Sequence, residues 1–438
     1  MKYYIHTYGC QMNIHESEKV AGILEQLGYS LALSEIDADL VVFNTCCIRE
    51  TAEQKIVGHI GRLKKVKRAK GGNLIIVVLG CMTQQSGVAQ TLRQKYPFID
   101  VVLGTSNLHL LADAVLTAQK GKRFCDVSMS DGVNETLATT RTSYPNAWVN
   151  IIYGCNNFCT YCIVPHVRGR ERSRKLTDIL TEVKQLLADG YKEITLLGQN
   201  VNSYGKDLGD GTCFSQLLEE VGKLPGKFRL RFMTSHPKDL TQDVIDVIAK
   251  YKNICNYVHL PVQSGSTAIL KKMNRHYTRE DYLALVDAIK KTIPDVGITS
   301  DIMIGFPGET DQDFLDTLSL VQQVGYSSAF CFVYSRRKGT PADTMDNQIS
   351  AEVKKQRITT LIAEQNKVTK QLSKQMQGNV YEILVEDTNT KYPNTYCGRT
   401  ENGRLVNFES AQKDLIGQFV DVKITKSQSA TLWGEVVK

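Results

Sequence analysis

The sequence has no apolar run approaching the roughly 20 residues of a membrane-spanning helix, and its best candidate, Leu74 to Leu79, is far too short. No helical membrane anchor is therefore expected. The N-terminus, MKYYIHTYGCQMN, has no long apolar h-region, so no secretory leader is expected and the cytoplasm is the expected location. A strong excess of one charge is missing too: 53 Lys or Arg stand against 46 Asp or Glu, and the net +7 permits nucleic-acid binding without requiring it. What the chain does have is cysteine. Twelve of them with no export signal point to a reducing compartment, and to metal ligation over disulfides. At 438 residues two to four domains are expected, and an apolar fraction of 42% lets each bury a core.

Cys155, Cys159 and Cys162, spaced C-x3-C-x2-C, follow the apolar run Trp148 to Tyr153, which reads as a strand. Three thiolates on so short a loop can converge on one metal centre, and soft sulfur ligands select iron-sulfur clusters, zinc or cuprous copper. A zinc site with His166 as fourth ligand is the alternative, although zinc frameworks usually come as paired C-x2-C or His-rich halves. A 4Fe-4S cube held by only three cysteines keeps one iron open.

The first third alternates strands and helices. Lys2 to Tyr8, Asp39 to Asn44, Asn73 to Leu79 and Asp100 to Gly104 read as buried parallel strands, with helices over Ser17 to Leu27 and Ala52 to Lys67. An open parallel α/β sheet follows. Cys10 comes after the first strand, Cys46 and Cys47 after the second, and Cys81 after the third. The carboxyl ends of parallel strands share one edge, so these distant cysteines are expected to meet there as a second three-cysteine metal site. The run Gly61 to Lys70 holds six Lys or Arg and reads as the solvated face of a helix. A polar linker spans 126–146.

Six further strands, Trp148 to Tyr153, Glu193 to Gly198, Phe228 to Thr234, Tyr257 to Val262, Gly297 to Ile304 and Ser328 to Tyr334, alternate with helices such as 176–189, 242–250, 280–290 and 311–324. The pattern predicts a partial TIM-like (β/α)6 barrel with its chemistry at the C-terminal strand ends. Those ends carry Gln199 and Asn200, Ser235-His236-Pro237, Gln263-Ser264-Gly265 and Gly305 to Glu309, a rim suited to a polar cosubstrate. Arg168, Arg170, Arg172 and Arg174 alternate after the cysteine loop; phosphate or carboxylate partners and plain surface solvation both remain open. A long helix, 351–376, leads to five short strands, 380–385, 394–399, 405–408, 419–424 and 432–437, with Glu401-Asn-Gly-Arg404 as a hairpin turn. They predict a small OB-like β-barrel. With seven Lys or Arg against eight Asp or Glu between Gly378 and Lys438, charge alone does not mark that barrel as an RNA binder.

The segments TYGCQMN, FNTCCIRE, LGCMTQ, YGCNNFCTYCIVP and RGRERSR, in this order and ahead of a small β-barrel, resemble the methylthiotransferases of the radical S-adenosylmethionine (SAM) superfamily over essentially the whole chain. HTYGCQMNIHESE looks like the branch that acts on isopentenylated adenosine in tRNA. The resemblance implies domains at 1–125, 147–376 and 377–438, the last an RNA-binding TRAM domain. It implies a SAM-cleaving 4Fe-4S cluster on Cys155, Cys159 and Cys162 and an auxiliary 4Fe-4S cluster on Cys10, Cys46 and Cys81. Tyr161 would lie near the SAM adenine, and Gln199, Ser235 and Gln263 stand on the rim that would contact SAM. One SAM would donate its methyl group and a second would become the source of a deoxyadenosyl radical, so that a methylthio group is added to adenosine C2 beside the anticodon. An aromatic C–H offers no acidic proton to a side-chain base, so no catalytic side chain is expected.

Cys47 departs from the family, which commonly has a small non-cysteine residue there; strand alternation would send it to the opposite face from Cys46, unless the strand ends a residue early, in which case Cys47 is the ligand instead. Cys125, Cys213, Cys255, Cys331 and Cys397 have no recognisable spacing and are expected to be structural. A reducing electron donor protein, a sulfur source of unknown identity and a monomeric chain complete the expectation. The alternatives are a sister enzyme acting on threonylcarbamoyladenosine in tRNA or on a ribosomal protein aspartate, and a non-catalytic metal-containing RNA-binding protein.

Overall fold

The computed structural model describes residues 1–47, 50–130, 137–428 and 431–437. Ile48 and Arg49 of the FNTCCIRE motif, and 131–136 of the expected linker, lie outside the described residues. The chain divides into two compact units: Met1–Thr142 with Ile152–Asn156 and Ile163–Arg174, and Ser143–Ile151 with Asn157–Cys162 and Lys175–Lys438.

In the first unit, strands β1 (Lys2–Thr7), β2 (Ser30–Leu31), β3 (Leu40–Thr45), β4 (Ile75–Gly80), β5 (Val101–Leu103) and β6 (Phe124–Asp126) form one sheet in the order β2-β1-β3-β4-β5-β6. Every pairing is parallel. The apolar runs of β3 and β4 are buried throughout because helices cover both faces. Val20, Leu24, Leu111 and Val115 pack from helices Gln11–Gln26 and Leu111–Gln119 on one side. Ile56, Ile60, Leu63 and Leu92 pack from helices Glu50–Ala69 and Val88–Lys95 on the other. Helix Gln11–Gln26 starts six residues before the expected Ser17, because its first turns carry buried polar side chains, Asn13, His15 and Glu16, and no apolar period. The part of the linker that is described leans on this helix: the Thr140 and Thr142 N–H groups donate to the Glu18 backbone and carboxylate oxygens, each at 3.0 Å. The basic run 61–70 is mostly exposed around buried Leu63, as a solvated helix face should be, although Lys67 bonds the Asp100 carboxylate at 2.6 Å.

The strand expected over Trp148–Tyr153 is two elements. β7 (Asn146–Asn150) joins the parallel sheet of the second unit, while β8 (Ile152–Tyr153) pairs antiparallel with β9 (Arg172–Ser173) in the first. β7 continues in register beside β10 (Glu193–Leu197), which pairs with β11 (Arg229–Met233). A second parallel trio, β12 (Tyr257–His259), β13 (Gly297–Ile304) and β14 (Ser328–Val333), follows. A parallel bridge from Leu230 to Ile254 and a bond from Ser235 N–H to His259 C=O at 3.2 Å join the trios. The six strands thus run in chain order as a partial (β/α)6 barrel.

Helix Ala351–Gln375 leads into β15 (Val380–Thr388), β16 (Thr395–Arg399), β17 (Leu405–Glu409), β18 (Phe419–Ser427) and β19 (Thr431–Val436), which close as β15-β16-β17-β19-β18. Ile383, Val385, Val406, Phe408, Val422, Ile424 and Leu432 fill the barrel. The predicted turn at Glu401–Arg404 docks it: Arg231, paired with Glu193 at 2.8 Å, donates to the carbonyls of Glu401 and Thr400 at 2.8 and 2.9 Å. Both partners are buried, so removing one alone is expected to cost about 3–5 kcal/mol.

Candidate metal centres and cosubstrate rim

All twelve cysteines are free thiols. In the first unit β1, β3 and β4 are sheet neighbours, and each runs into a cysteine-bearing loop at the same edge. Thr45 pairs with Gly80, so Cys46 and Cys81 each follow directly from the same rung, on neighbouring strands. The Cys81 N–H donates to Thr45 C=O at 2.9 Å. Gly80 has φ of +102°, and a Cβ there would lie 2.5 Å from Thr45 O, so only glycine lets the two strand ends approach this closely. Cys10 caps the start of helix Gln11–Gln26, with its Sγ 3.5 Å from Asn13 Oδ1. A Cβ on Gly9 would lie 3.0 Å from Cys46 Cβ, so the Cys10 loop abuts Cys46. The fully buried Asn13 amide donates to Asn44 Oδ1 at 3.0 Å and Thr45 O at 3.2 Å, while Asn44 donates back to Asn13 O at 2.8 Å. These asparagines tie the first two cysteine loops together. Each stands in the same short motif as its cysteine, the one signal that was available for them.

Strand alternation does not separate Cys46 from Cys47, because β3 ends at Thr45, before both. Both thiols are buried, and Cys47 donates a hydrogen bond to Cys81. That bond, helped by Arg168, holds the Cys81 thiol down to about 7 against burial. Arg168 itself is buried and donates to both Glu16 oxygens, at 2.6 and 3.4 Å. Of the four alternating arginines, Arg168 therefore has a carboxylate partner, and it and Arg174 are buried, which rules out plain surface solvation for both.

In the C-x3-C-x2-C loop Cys155 belongs to the first unit, and its N–H donates to Gly169 C=O at 3.1 Å. The preceding Gly154 has φ of +75°, and a Cβ there would lie 2.0 Å from Arg170 O. Cys159 and Cys162 belong to the second unit, linked by a Cys162 N–H to Cys159 C=O bond at 2.9 Å. Thr160 fastens this turn through its N–H to Met273 C=O at 3.1 Å and its hydroxyl to Lys272 C=O at 2.9 Å. Tyr161 packs against Ile269, Met273, Phe306, Tyr334 and Ala342, and burial keeps its phenol protonated. Arg275, which sequence spacing did not mark, is buried with Nη1 3.5 Å from Cys159 Sγ, Nη2 2.7 Å from Pro261 O and Nε 3.0 Å from the Tyr277 hydroxyl. One cysteine of each set thus has a buried guanidinium against its sulfur.

At the ends of β10 and β11, buried Ser235 Oγ, His236 Nε2, Asn200 Oδ1 and Asn202 Nδ2 have no hydrogen-bond partner among the described residues. Buried polar atoms are costly to leave unpaired, so this rim fits a polar cosubstrate. Gln199 is partly exposed at the same edge. Gln263 is buried at φ of +72°, its N–H bonded to Asp301 C=O at 2.9 Å and its C=O taken by Met303 N–H at 2.8 Å. Unpaired donors and acceptors are therefore gathered at the ends of β10 and β11. No described helix is long and apolar enough to cross a membrane.

The model of the radical SAM superfamily matches residues 149–321, that of the TRAM domain 374–437, and that of an uncharacterized protein family, UPF0004, residues 2–104. The solved radical S-adenosylmethionine methyltransferase TsrM from Kitasatospora setae shares the fold at a TM-score of 0.58 and 14% identity, over 84% of this chain and 89% of its own. Fold, cysteine loop and model together define a radical SAM enzyme. The tRNA-2-methylthio-N(6)-dimethylallyladenosine synthase of Clostridium botulinum strain Langeland is 51% identical over 100% of this chain and 97% of its own. That of Clostridium tetani is 52% identical over 99% and 96%. The chain belongs to this family of radical SAM tRNA methylthiotransferases.

Proposed function

We infer that the chain adds a methylthio group to C2 of N6-isopentenyladenosine beside the anticodon of tRNA, with SAM as methyl donor and as radical source. The carrying observation is identity of about half to such synthases along the full chain, with both cysteine sets at their strand ends. When bound, two 4Fe-4S clusters and SAM supply the electron-transfer, radical and sulfur chemistry.

Our reading of the chain's own residues is as follows. Cys155, Cys159 and Cys162 hold the SAM-cleaving cluster, and Cys10, Cys46 and Cys81 the auxiliary one. Arg275 and Arg168 place buried positive charge beside each thiolate set, offsetting the cost of burying an anionic cluster. Tyr161, Gln199, Ser235 and Gln263 line the SAM site, and the unpaired polar atoms beside Ser235 orient the cosubstrate. The domains run 1–125, 147–376 and 377–438 around the linker 126–146, and the C-terminal barrel grips tRNA. The protein works in the cytoplasm as a monomer, with a reducing protein as electron donor; its sulfur source is not specified by any residue.

Nucleoside mass spectrometry on isopentenylated tRNA, after anaerobic incubation with reconstituted protein, SAM and a strong reductant, tests this. A methylthio derivative of isopentenyladenosine is expected. Deoxyadenosine without a modified nucleoside would keep the radical machinery and overturn the substrate, directing attention to threonylcarbamoyladenosine or a ribosomal protein.

A further inference from the structure

A further cluster of ligand-type side chains, sharing no residue with either cysteine set, lies in the first unit. His6 on β1 and His59 on helix Glu50–Ala69 each place Nε2 2.7 Å from the same oxygen, Oε2 of Glu35, in the segment between β2 and β3. One ligand atom from each of the three residues falls within 4.8 Å of the others. The surroundings are ordered: the His6 ring stacks on Phe43 with centroids 5.1 Å apart and meets the Tyr4 ring edge-on at 4.9 Å. His59 Nδ1 is held by the Tyr8 hydroxyl at 2.8 Å, which fixes that ring's orientation and leaves Nε2 pointing at Glu35. Side-chain exposures of 18%, 27% and 14% for His6, Glu35 and His59 leave the group reachable from solvent yet largely shielded.

We propose that His6, Glu35 and His59 form a binding site for one divalent cation of the zinc class. Two imidazoles and one carboxylate are the donor set that suits zinc, and they disfavour magnesium or calcium, which take oxygen ligands. Burial lowers the His6 basicity despite the Glu35 hydrogen bond, favouring the neutral ring a metal needs. Burial alone would raise the Glu35 carboxyl, but the bonds from His6 and His59 keep it below its ordinary value, hence ionised. On binding, each neutral ring shifts its Nε2 proton to Nδ1 and frees Nε2 for the ion; at His59 this reverses the Tyr8 bond, Nδ1–H then donating to the Tyr8 oxygen. Tetrahedral bonds of about 2.0–2.1 Å space ligand atoms at roughly 3.3 Å, so the 2.7 Å contacts must open by about half an ångström. Glu35 sits in a loop with exposed neighbours, Ile36 and Asp37, and is the ligand able to move. Arg62 opposes the cation, since its charge already weighs against protonation of His6. The bound ion would clip β1, the 31–37 segment and helix Glu50–Ala69 together in the unit that carries Cys10, Cys46 and Cys81. The fourth position would be left to water.

The test uses full-length protein with its iron-sulfur clusters reconstituted, so that the six proposed cluster cysteines are occupied, dialysed anaerobically against micromolar zinc. Metal analysis is expected to give one zinc per chain with iron unchanged, and zinc is expected to raise Tm. His59→Gln and Glu35→Gln should each lose that zinc and its Tm shift while keeping their iron, and Tyr8→Phe should weaken zinc about tenfold. Glu35→Gln keeps shape and hydrogen bonding, so it carries the test if His59→Gln does not fold. No zinc on the wild type, zinc retained by Glu35→Gln, or zinc gained only as iron is lost would each overturn the site.

Discussion

Cys155, Cys159 and Cys162 lie on one short loop, whereas Cys10, Cys46 and Cys81 are scattered over the first unit and meet only because β1, β3 and β4 are neighbours in a parallel sheet. The loop depends on local fastenings: Gly154 against the Arg170 carbonyl, and Thr160 against Lys272 and Met273. The scattered set depends on register, with Thr45 facing Gly80 and Asn13 bonded to Asn44. Both converge on one electrostatic arrangement, a buried arginine beside a cysteine sulfur. A thiolate-rich site therefore needs charge compensation however its cysteines are delivered.

The sharpest break of this comparison is functional. Replacing Cys155, Cys159 and Cys162 by Ala is expected to abolish deoxyadenosine formation from SAM; persistent cleavage would dissolve the assignment of that loop. Replacing Cys10, Cys46 and Cys81 by Ala should instead remove the methylthio product while SAM cleavage continues, with iron falling from about eight to about four per chain. Normal product from that variant would end the auxiliary reading. Within the scattered set, Cys46→Ala should lose the auxiliary iron and Cys47→Ala should retain it. The reverse pattern would make Cys47, which already touches Cys81, the ligand.

A smaller effect is expected from the arginines. Arg275→Met should speed chelation of iron from the first cluster only. Arg168→Met, made together with Glu16→Gln so that no carboxylate is left buried alone, should do the same for the auxiliary cluster. Each change is expected to be about 10–100-fold, read by chelator kinetics on each cluster's spectroscopic signal. Equal release from both clusters in either variant would reduce the arginines to general stability. The smallest effects fall on backbone: Gly80→Ala and Gly154→Ala each force a side chain into a left-handed conformation, costing about 1–3 kcal/mol before any steric clash. A lowered Tm with intact clusters would measure that strain, and an unchanged Tm would refute it.

Much of this was legible in one dimension. The buried strands announce themselves as apolar runs, and all five barrel strands and the hairpin turn between β16 and β17 lie where alternation and turn chemistry put them. The misreadings share a cause. Helix Gln11–Gln26 hides its start because Asn13 and Glu16 are buried by hydrogen bonds and an ion pair, and burial of that kind leaves no hydrophobic period. The run Trp148–Tyr153 conceals a change of partner, since β7 and β8 are equally apolar but pair with different strands. Arg275 and the His6, Glu35 and His59 group carry no spacing at all, because their members come from separate turns of the chain.

By itself the sequence determined the element types, the three-part order and the soft-donor character of the two cysteine sets, since periodicity, turn residues and sulfur softness are properties of residues and near neighbours. Only the tertiary structure decided that β1, β3 and β4 lie side by side, that Cys47 faces Cys81, and that Arg168 and Arg275 point at sulfur. Those facts depend on strand order and helix packing. They bring together residues far apart in the chain, and no local pattern encodes which distant side chain will share a dry, low-dielectric pocket.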